Sequence, residues 1–232
     1  MAMKRLPTLT VSLGMMLLVG GITPLVKAVQ PSETLLVQTN AESLIRQGNE
    51  KYDKRDYKGA IEDFNRAIEI NPSNSEIYVL RGNARDDLGD SQGAIKDYNQ
   101  ALKLNPESYL AYYNRGIAYY RRGDHQLALA DYNQTVRLAP KFEEVYLSRG
   151  IVNDILGNQQ AALADFNQAL KFNPNIGEAY YNRANIRVTL GDKPGALADY
   201  QKAAQIYQQE GKTAYYQDAI GNIKKLQESS GL

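Results

Sequence analysis

The chain of 232 residues has no cysteine, no tryptophan and a single histidine, His125. Without cysteine it can form no disulfide bond and carry no lipid on an N-terminal cysteine. One histidine and no cysteine are too few ligands for a zinc site, and no acidic group has the spacing of a calcium loop. No glycine-rich phosphate loop follows a strand pattern. The sequence therefore predicts no metal, no cofactor and no catalytic residue, and the protein is not expected to be an enzyme.

An excess of charge of one sign is lacking as well. The chain has 27 basic and 26 acidic residues, which gives a formal net charge of +1. Lysine and arginine alternate with aspartate and glutamate along the chain, so there is no basic stripe that could bind a nucleic-acid backbone. The hydrophobic content of 43% is that of an ordinary soluble domain. We therefore expect a protein or peptide partner and no nucleic acid.

A long apolar run occurs only near the N-terminus, over residues 9–22. Lys4 and Arg5 precede this run, and small residues lead up to Ala28 after it. This layout is typical of a secretory signal peptide, and the run is shorter than the about 20 residues that a membrane-spanning helix needs. We predict a signal peptide over residues 1–28, with an uncleaved membrane anchor as the alternative. The mature chain is expected to be periplasmic or secreted, with a thylakoid lumen as a variant.

From Ala41 onwards, one pattern recurs every 34 residues, five times without an insertion. The predicted repeats are 41–74, 75–108, 109–142, 143–176 and 177–210. They follow a predicted short mobile leader over residues 29–40, with packing of Leu35, Leu36 and Val37 on the first repeat as the alternative. The eighth position is always small: Gly48, Gly82, Gly116, Gly150 and Ala184. The twentieth position is always alanine, and the twenty-fourth is always aromatic. Each repeat is predicted to form a first and a second helix, joined by a glycine turn in every repeat except the first, which has Arg55.

This pattern resembles the tetratricopeptide repeat. The resemblance covers residues 41–210 and implies an all-α fold, a right-handed α-solenoid of five tandem helix-turn-helix repeats. It also implies a non-catalytic scaffold for protein–protein interactions. The period fails after Gly211, and residues 211–232 are predicted to form a capping helix and tail with one apolar and one polar face. The apolar residues are Tyr216, Ala219, Ile220, Ile223 and Leu226, and the polar residues are Gln217, Asp218, Asn222, Lys224 and Lys225.

A second pattern concerns charge. The seventh position is arginine in every repeat except the first, which has Gln47, whereas the twenty-third position is always aspartate. Because only the first repeat has no repeat before it, we expect each arginine to contact the aspartate of the preceding repeat. The predicted pairs are Asp63–Arg81, Asp97–Arg115, Asp131–Arg149 and Asp165–Arg183. Such partly buried pairs would fix the register of stacking more than they would add stability, since desolvation offsets much of their attraction.

The first helix of each repeat also has a face that points away from the packing interface. In the tetratricopeptide fold, this face resembles the lining of a concave groove. The predicted partner-binding residues are Asn83, Asp86, Asp87, Leu110, Tyr113, Asn114, Ile117, Tyr120, Arg121, Leu147, Ile151, Asp154, Tyr181 and Asn185. The centre of this set is apolar and aromatic, acids surround it, and Arg121 is its only base. The set predicts a peptide or helix with apolar anchors and basic flanks. The alternative for the fifth position is packing between neighbouring first helices.

One function known in the family can be excluded. Tetratricopeptide domains that bind chaperone C-termini hold the terminal carboxylates with lysine, arginine and asparagine side chains. The corresponding residues here are Val79, Asn83, Asn114, Glu144 and Ser148, so both asparagines match and every cation is missing. The main hypothesis is thus an exported scaffold that binds a partner in the groove and aids the assembly of a complex. The alternative is a structural protein that associates with itself.

Overall fold

The computed structural model describes residues 33–228, and the predicted signal peptide therefore lies outside the described residues. Within that range the chain forms eleven α-helices and no strand, which confirms the predicted all-α solenoid. The helices are α1 (Glu33–Asp53), α2 (Tyr57–Ile70), α3 (Ser75–Asp87), α4 (Ser91–Leu104), α5 (Tyr109–Arg121), α6 (His125–Leu138), α7 (Glu144–Ile155), α8 (Gln159–Phe172), α9 (Gly177–Thr189), α10 (Lys193–Gln209) and α11 (Thr213–Glu228). Odd-numbered helices up to α9 are the first helices of the repeats, and even-numbered helices are the second.

Helix α1 is longer than expected at its N-terminal end. It begins at Glu33, inside the predicted leader segment 29–40, so that residues 33–40 continue the first helix of the first repeat. Between Glu33 and Gly48 there is no glycine and no proline, so nothing in the sequence interrupts the helix. None of the helices among residues 33–228 is both long enough and apolar enough to cross a lipid bilayer.

The small residue at the eighth position lets the two helices of a repeat approach closely. A Cβ atom on Gly82 would lie 2.6 Å from Cε1 of Tyr98, and one on Gly48 would lie 2.6 Å from Cε1 of Phe64. The turn between the helices needs a left-handed backbone, and Gly89 adopts a φ of +93° there. In the first repeat Arg55 takes this conformation with a φ of +62°, which is costly for a residue with a Cβ atom.

The fifth repeat and the capping helix differ from the rest. Helix α10 has 17 residues, compared with 14 in each earlier second helix, because Gln208 replaces the proline that ends the others. Helix α11 packs on α10 and buries Ala219 and Leu226 as predicted. The predicted split into two faces is only partly correct, because Ile220 is 38% exposed. Moreover, Asp218 and Asn222 do not simply face water, since both hydrogen-bond to Tyr181.

The arginine at the seventh position does not contact the aspartate of the preceding repeat. Instead Arg81 holds Asp97 of its own repeat with two bonds, from Nε at 3.0 Å and from Nη2 at 2.6 Å. The same pairing joins Arg115 to Asp131, Arg149 to Asp165 and Arg183 to Asp199. The predicted pairs Asp63–Arg81, Asp97–Arg115, Asp131–Arg149 and Asp165–Arg183 are therefore wrong. The reason is geometric: the two antiparallel helices of one repeat, joined by a tight turn, place these two positions opposite each other.

Each arginine nevertheless reaches the preceding repeat. Nη1 of Arg81 donates to Oδ1 of Asn65 at 2.7 Å, and the equivalent bonds join Arg115 to Asn99, Arg149 to Asn133 and Arg183 to Asn167. These asparagines occupy the twenty-fifth position, which is glutamine only in the fifth repeat, where no arginine follows. That signal was present in the sequence and was missed. Asp63 in the first repeat, where the arginine is absent, pairs with Lys51 at 2.6 Å.

Candidate partner-binding groove

The first helices α1, α3, α5, α7 and α9 stand side by side and form one continuous wall, here called the groove face. Three contacts between them follow a single register, with partners 35 residues apart: Tyr52 with Asp87, Asp86 with Arg121, and Tyr113 with Ser148. Since the repeat has 34 residues, each of these three positions meets the next position on the following first helix. This register decides which side chains of neighbouring repeats share a site.

A polar recess of about 180 Å³ opens between α3 and α5. Its lining residues are Tyr52, Asn83, Asp86, Asp87, Tyr98, Asn114, Ile117 and Arg121. The Asp86 carboxylate is buried and is compensated twice, by Nη1 of Arg121 and by the hydroxyl of Ser91, which donates at 2.7 Å. The carboxylate of Asp87 accepts from the phenol of Tyr52 and lies 3.7 Å from Nη1 of Arg121. A carboxylate buried without a cation and hydrogen-bond donors destabilises the fold, so Arg121 and Ser91 are what allow Asp86 to occupy this place.

Two asparagines form the floor of the polar recess. Oδ1 of Asn83 accepts from the phenol of Tyr98 at 2.8 Å and from Nδ2 of Asn114 at 2.9 Å. An equivalent tyrosine–asparagine bond occurs in the fifth repeat, where the phenol of Tyr200 donates to Asn185 at 2.5 Å. Because Oδ1 of Asn83 is held twice, the amide is fixed in orientation. Its Nδ2 donor therefore points in one direction and can bond a partner main chain without further ordering.

An apolar recess of about 210 Å³ adjoins the polar one. It is lined by Ile117, Tyr120, Arg121, Tyr132, Ser148 and Ile151, so that Ile117 and Arg121 line both recesses. Three large apolar side chains of the groove face are partly open to water: Leu110 is 43% exposed, Tyr120 is 38% exposed and Ile155 is 49% exposed. An apolar recess bordered by exposed apolar side chains is the usual form of an anchor site for a partner.

The fifth position of the repeats behaves differently from one repeat to the next. Val79 is only 8% exposed and belongs to the core of the second repeat, so the packing interpretation is correct for it. Leu147 is half-buried against the cores of the third and fourth repeats. Tyr113 packs edge-on against Phe142, with ring centroids 4.9 Å apart, and its hydroxyl lies 3.3 Å from that of Ser148. Tyr113 is thus half-buried, with its ring against Phe142 and its hydroxyl beside Ser148.

The structure brings ten of the fourteen predicted groove residues into or beside one shared site. Six line the polar recess, two further residues (Tyr120 and Ile151) line the apolar one, and Tyr113 and Leu147 pack beside it. Asp154, Tyr181 and Asn185 lie toward the C-terminal end of the groove face, and Leu110 lies in the first turn of α5. The sequence prediction omitted four side chains that complete the recesses: Tyr52, Tyr98, Tyr132 and Ser148.

Burial changes the acid–base behaviour of several groove residues. Burial and the hydrogen bond to Asp218 raise the pKa of Tyr181 to about 12. Burial and the bond to Asp87 likewise raise the pKa of Tyr52 above its usual range. Burial also raises the pKa of the Asp154 carboxyl. Tyr52 and Tyr181 are therefore neutral hydrogen-bond donors at physiological pH. Among residues 33–228, no cluster of three or more histidine or acidic side chains is arranged to hold a metal ion.

Comparison with known families agrees with the repeat fold. A family model described as "Tetratricopeptide repeat" matches residues 79–141 and 156–211, and one described as "TPR repeat" matches residues 48–89. No curated protein matches the chain.

Three solved structures illustrate the likeness in fold. MamA from Desulfovibrio magneticus RS-1 is 19% identical, with a TM-score of 0.67 over 73% of this chain and 96% of that one. YrrB, described as a TPR protein with an unusual peptide-binding site, is 21% identical, with a TM-score of 0.63 over 76% of this chain and 92% of that one. The pilF protein of Pseudomonas aeruginosa is 16% identical, with a TM-score of 0.68 over 82% of this chain and 93% of that one.

Proposed function

Because the chain belongs to the tetratricopeptide-repeat family, whose members are generally non-catalytic scaffolds for protein–protein interaction, we propose that it binds a partner peptide or helix on the groove face. The observation that carries this proposal is the pair of adjoining recesses, one apolar and one polar, which share Ile117 and Arg121. A single short segment can enter both recesses at once. The apolar recess buries an anchor side chain of the partner, and hydrogen bonds in the polar recess orient the partner segment.

The charges of the groove face favour a partner with basic flanks. Asp87 and Asp218 are exposed, Asp154 is half-exposed, and Arg121 is bonded to Asp86. Complementary charge around an apolar anchor speeds encounter and selects the partner more than it adds affinity. The polar recess adds the fixed amide of Asn83, which can bond to the main chain of an extended peptide. The proposed partner is therefore a segment with one large apolar side chain next to lysine or arginine.

The proposal includes export. Residues 1–28 have the layout of a signal peptide, and a scaffold in an exported compartment would bring partner proteins together there, in support of the assembly of a complex. Mass spectrometry of the mature protein tests this part directly. The expected N-terminal residue is Val29, and an intact N-terminus in a membrane fraction would indicate the uncleaved anchor instead.

Photo-crosslinking tests the groove. A crosslinking amino acid at Tyr120 should capture a partner from the exported fraction, and Ile117→Ala plus Ile151→Ala should reduce that capture strongly. The matched control is Leu104→Ala plus Leu127→Ala, which removes exposed apolar side chains from the second helices α4 and α6. Circular dichroism should show equal helix content in all variants. Equal capture by the groove variant and the control variant would contradict binding on the groove face.

Self-association is the second candidate, and one observation favours it. Helix α11, which caps the solenoid, exposes Tyr215 at 61% and Ile220 at 38%. These side chains could join the C-terminal ends of two copies. Size-exclusion chromatography with light scattering separates the two candidates. A dimer that Tyr215→Ser plus Ile220→Ser converts to a monomer supports self-association, whereas a monomer at every concentration rules it out.

A further inference from the structure

The register of the groove face relates Asp86 to a second acid in the same structural position. Asp86 is the twelfth residue of the second repeat, and Arg121, which binds it, is the thirteenth residue of the third. Two repeats further along, the twelfth residue of the fourth repeat is Asp154 and the thirteenth residue of the fifth is Thr189. Arg121 and Thr189 are each the last residue of their helices, α5 and α9. The acid is therefore repeated, and the arginine is not.

Thr189 does not take over the role of Arg121. Its hydroxyl donates to the main-chain oxygen of Asn185 in its own helix, at 3.2 Å. The nearby arginines of α9 are engaged on the other side: Arg183 binds Asp199 at 2.6 Å, and Arg187 binds Asp199 at 2.7 Å. Among the described residues, no lysine or arginine forms an ion pair with Asp154. Burial without a compensating cation agrees with the raised pKa of this carboxyl.

Exposed apolar residues adjoin Asp154 and its counterpart Thr189 in the chain. Ile155 follows it in the chain and is exposed, and Val188, the residue before Thr189, is exposed as well. Ile151, one turn before Asp154 on the same helix, lines the apolar recess. The half-exposed carboxylate of Asp154 lies on the same helix as the exposed Ile155, and the exposed Val188 lies on the neighbouring first helix. The carboxylate is well placed for a segment that brings a cation and an apolar side chain together.

We propose that Asp154 binds an arginine or lysine side chain of the partner segment, in the way that Asp86 binds Arg121 within the chain. The adjacent apolar side chain of the partner then lies on Ile155 and Val188. This inference rests on the proposed groove function. It adds that the partner carries a positive charge and that this charge binds at Asp154. The Asp86–Arg121 pair serves as an internal model of the contact, because it joins the twelfth position of one first helix to the thirteenth position of the next.

The first experiment uses a defined probe, the peptide acetyl-Leu-Arg-Leu-amide, with acetyl-Leu-norleucine-Leu-amide as its uncharged match. Carboxyl carbon NMR at neutral pH follows the signal of Asp154 in the full mature chain. The arginine peptide should shift this signal and the norleucine peptide should not. Asp154→Asn should weaken binding of the arginine peptide about two- to fivefold, the range expected for one partly exposed ion pair. Binding of the norleucine peptide should be unaffected.

A second variant supplies the missing cation from the chain itself. Thr189→Arg should place a guanidinium opposite Asp154, lower the pKa of that carboxyl, and weaken binding of the arginine peptide about as much as Asp154→Asn does. Thr189→Gln removes the same hydroxyl without adding charge, and should leave both the pKa and the binding unchanged. An Asp154 signal that neither the arginine peptide nor Thr189→Arg perturbs would overturn the proposal.

A third variant separates this inference from the groove function on which it rests. If Ile117→Ala weakens binding of both peptides while Asp154→Asn leaves the arginine peptide unaffected, then the groove binds the segment but Asp154 does not bind its cation. If neither peptide responds to Ile117→Ala or to Asp154→Asn, the proposed groove function fails together with the inference. Weakening of the arginine peptide by both substitutions supports both proposals.

Discussion

Nη1 of Arg81 donates a hydrogen bond of 2.7 Å to Oδ1 of Asn65, across the boundary between the first and second repeats. The same guanidinium holds Asp97 within its own repeat. One planar side chain with several donors therefore joins both helices of its repeat to the second helix of the preceding one. Since this unit recurs at Arg115, Arg149 and Arg183, it forms a ladder along the solenoid.

The arginines of this ladder should contribute unequally to the stability of the protein. Asp131 has Arg115 as its only ion-pair partner among the described residues, whereas Asp97 is also bound by Arg85 at 2.8 Å. We predict that Arg115→Ala lowers the free energy of unfolding by about 3–5 kcal/mol, because it leaves a buried carboxylate without its cation. Arg81→Ala should lower the free energy of unfolding by less, because Arg85 still binds Asp97. Urea unfolding followed by circular dichroism measures both variants, and equal losses would contradict this explanation.

The contact between repeats can be removed alone. Asn99→Ala deletes the bond from Nη1 of Arg115 and leaves the pair with Asp131 intact, so we expect a loss of about 0.5–1.5 kcal/mol. Gln201→Ala is the control, because this residue has the same position in the fifth repeat, where no arginine follows. Thermal unfolding should distinguish the two variants. A loss for Gln201→Ala as large as that for Asn99→Ala would show that the effect is unrelated to the ladder.

The close approach of paired helices gives a third prediction. In Gly150→Ala the new methyl group would lie 2.7 Å from Cε1 of the fully buried Phe166, and we expect destabilisation of about 1–3 kcal/mol. Gly221→Ala in α11 adds the same methyl group with nothing within 4 Å, and should stabilise the protein by up to about 1 kcal/mol. Opposite signs of the two changes in melting temperature are the expected result. Unchanged stability of Gly150→Ala would mean that the ring of Phe166 can move.

Tyr181 provides a prediction about pH. Its pKa in the folded protein is raised to about 12 by burial and by its bond to Asp218, whereas a tyrosine in the unfolded chain titrates near about 10. The unfolded state therefore releases its proton first, and stability falls as pH rises from about 10 toward about 12. Asp218→Asn should lower the pKa of Tyr181 and weaken this loss. Ring-carbon NMR of tyrosine measures the shift, and an unchanged pKa in Asp218→Asn would contradict the role given to that bond.

Much of the architecture follows from residue type and spacing. Gly48 to Ala184 at the eighth position, and alanine and an aromatic at the twentieth and twenty-fourth, specify helix pairs that pack closely, and Gln208 predicts the longer α10. These features depend on local propensity and on contacts within one repeat. Such contacts have a short, constant separation in the chain. They can therefore be read from the sequence, because only one nearby partner satisfies the pattern.

The choice between partners in different repeats cannot be read in this way. In a periodic sequence every candidate partner of Arg81 recurs in each repeat, and Asp63 and Asp97 are almost equally far along the chain. Only the antiparallel packing of one helix pair places Asp97, rather than Asp63, within reach of the guanidinium. The shift of one position between neighbouring first helices likewise arises from how the helices stack. That stacking brings Arg121 to Asp86, whereas the position equivalent to Arg121 holds Thr189 two repeats later, and so it creates the contrast on which the proposed partner contact rests.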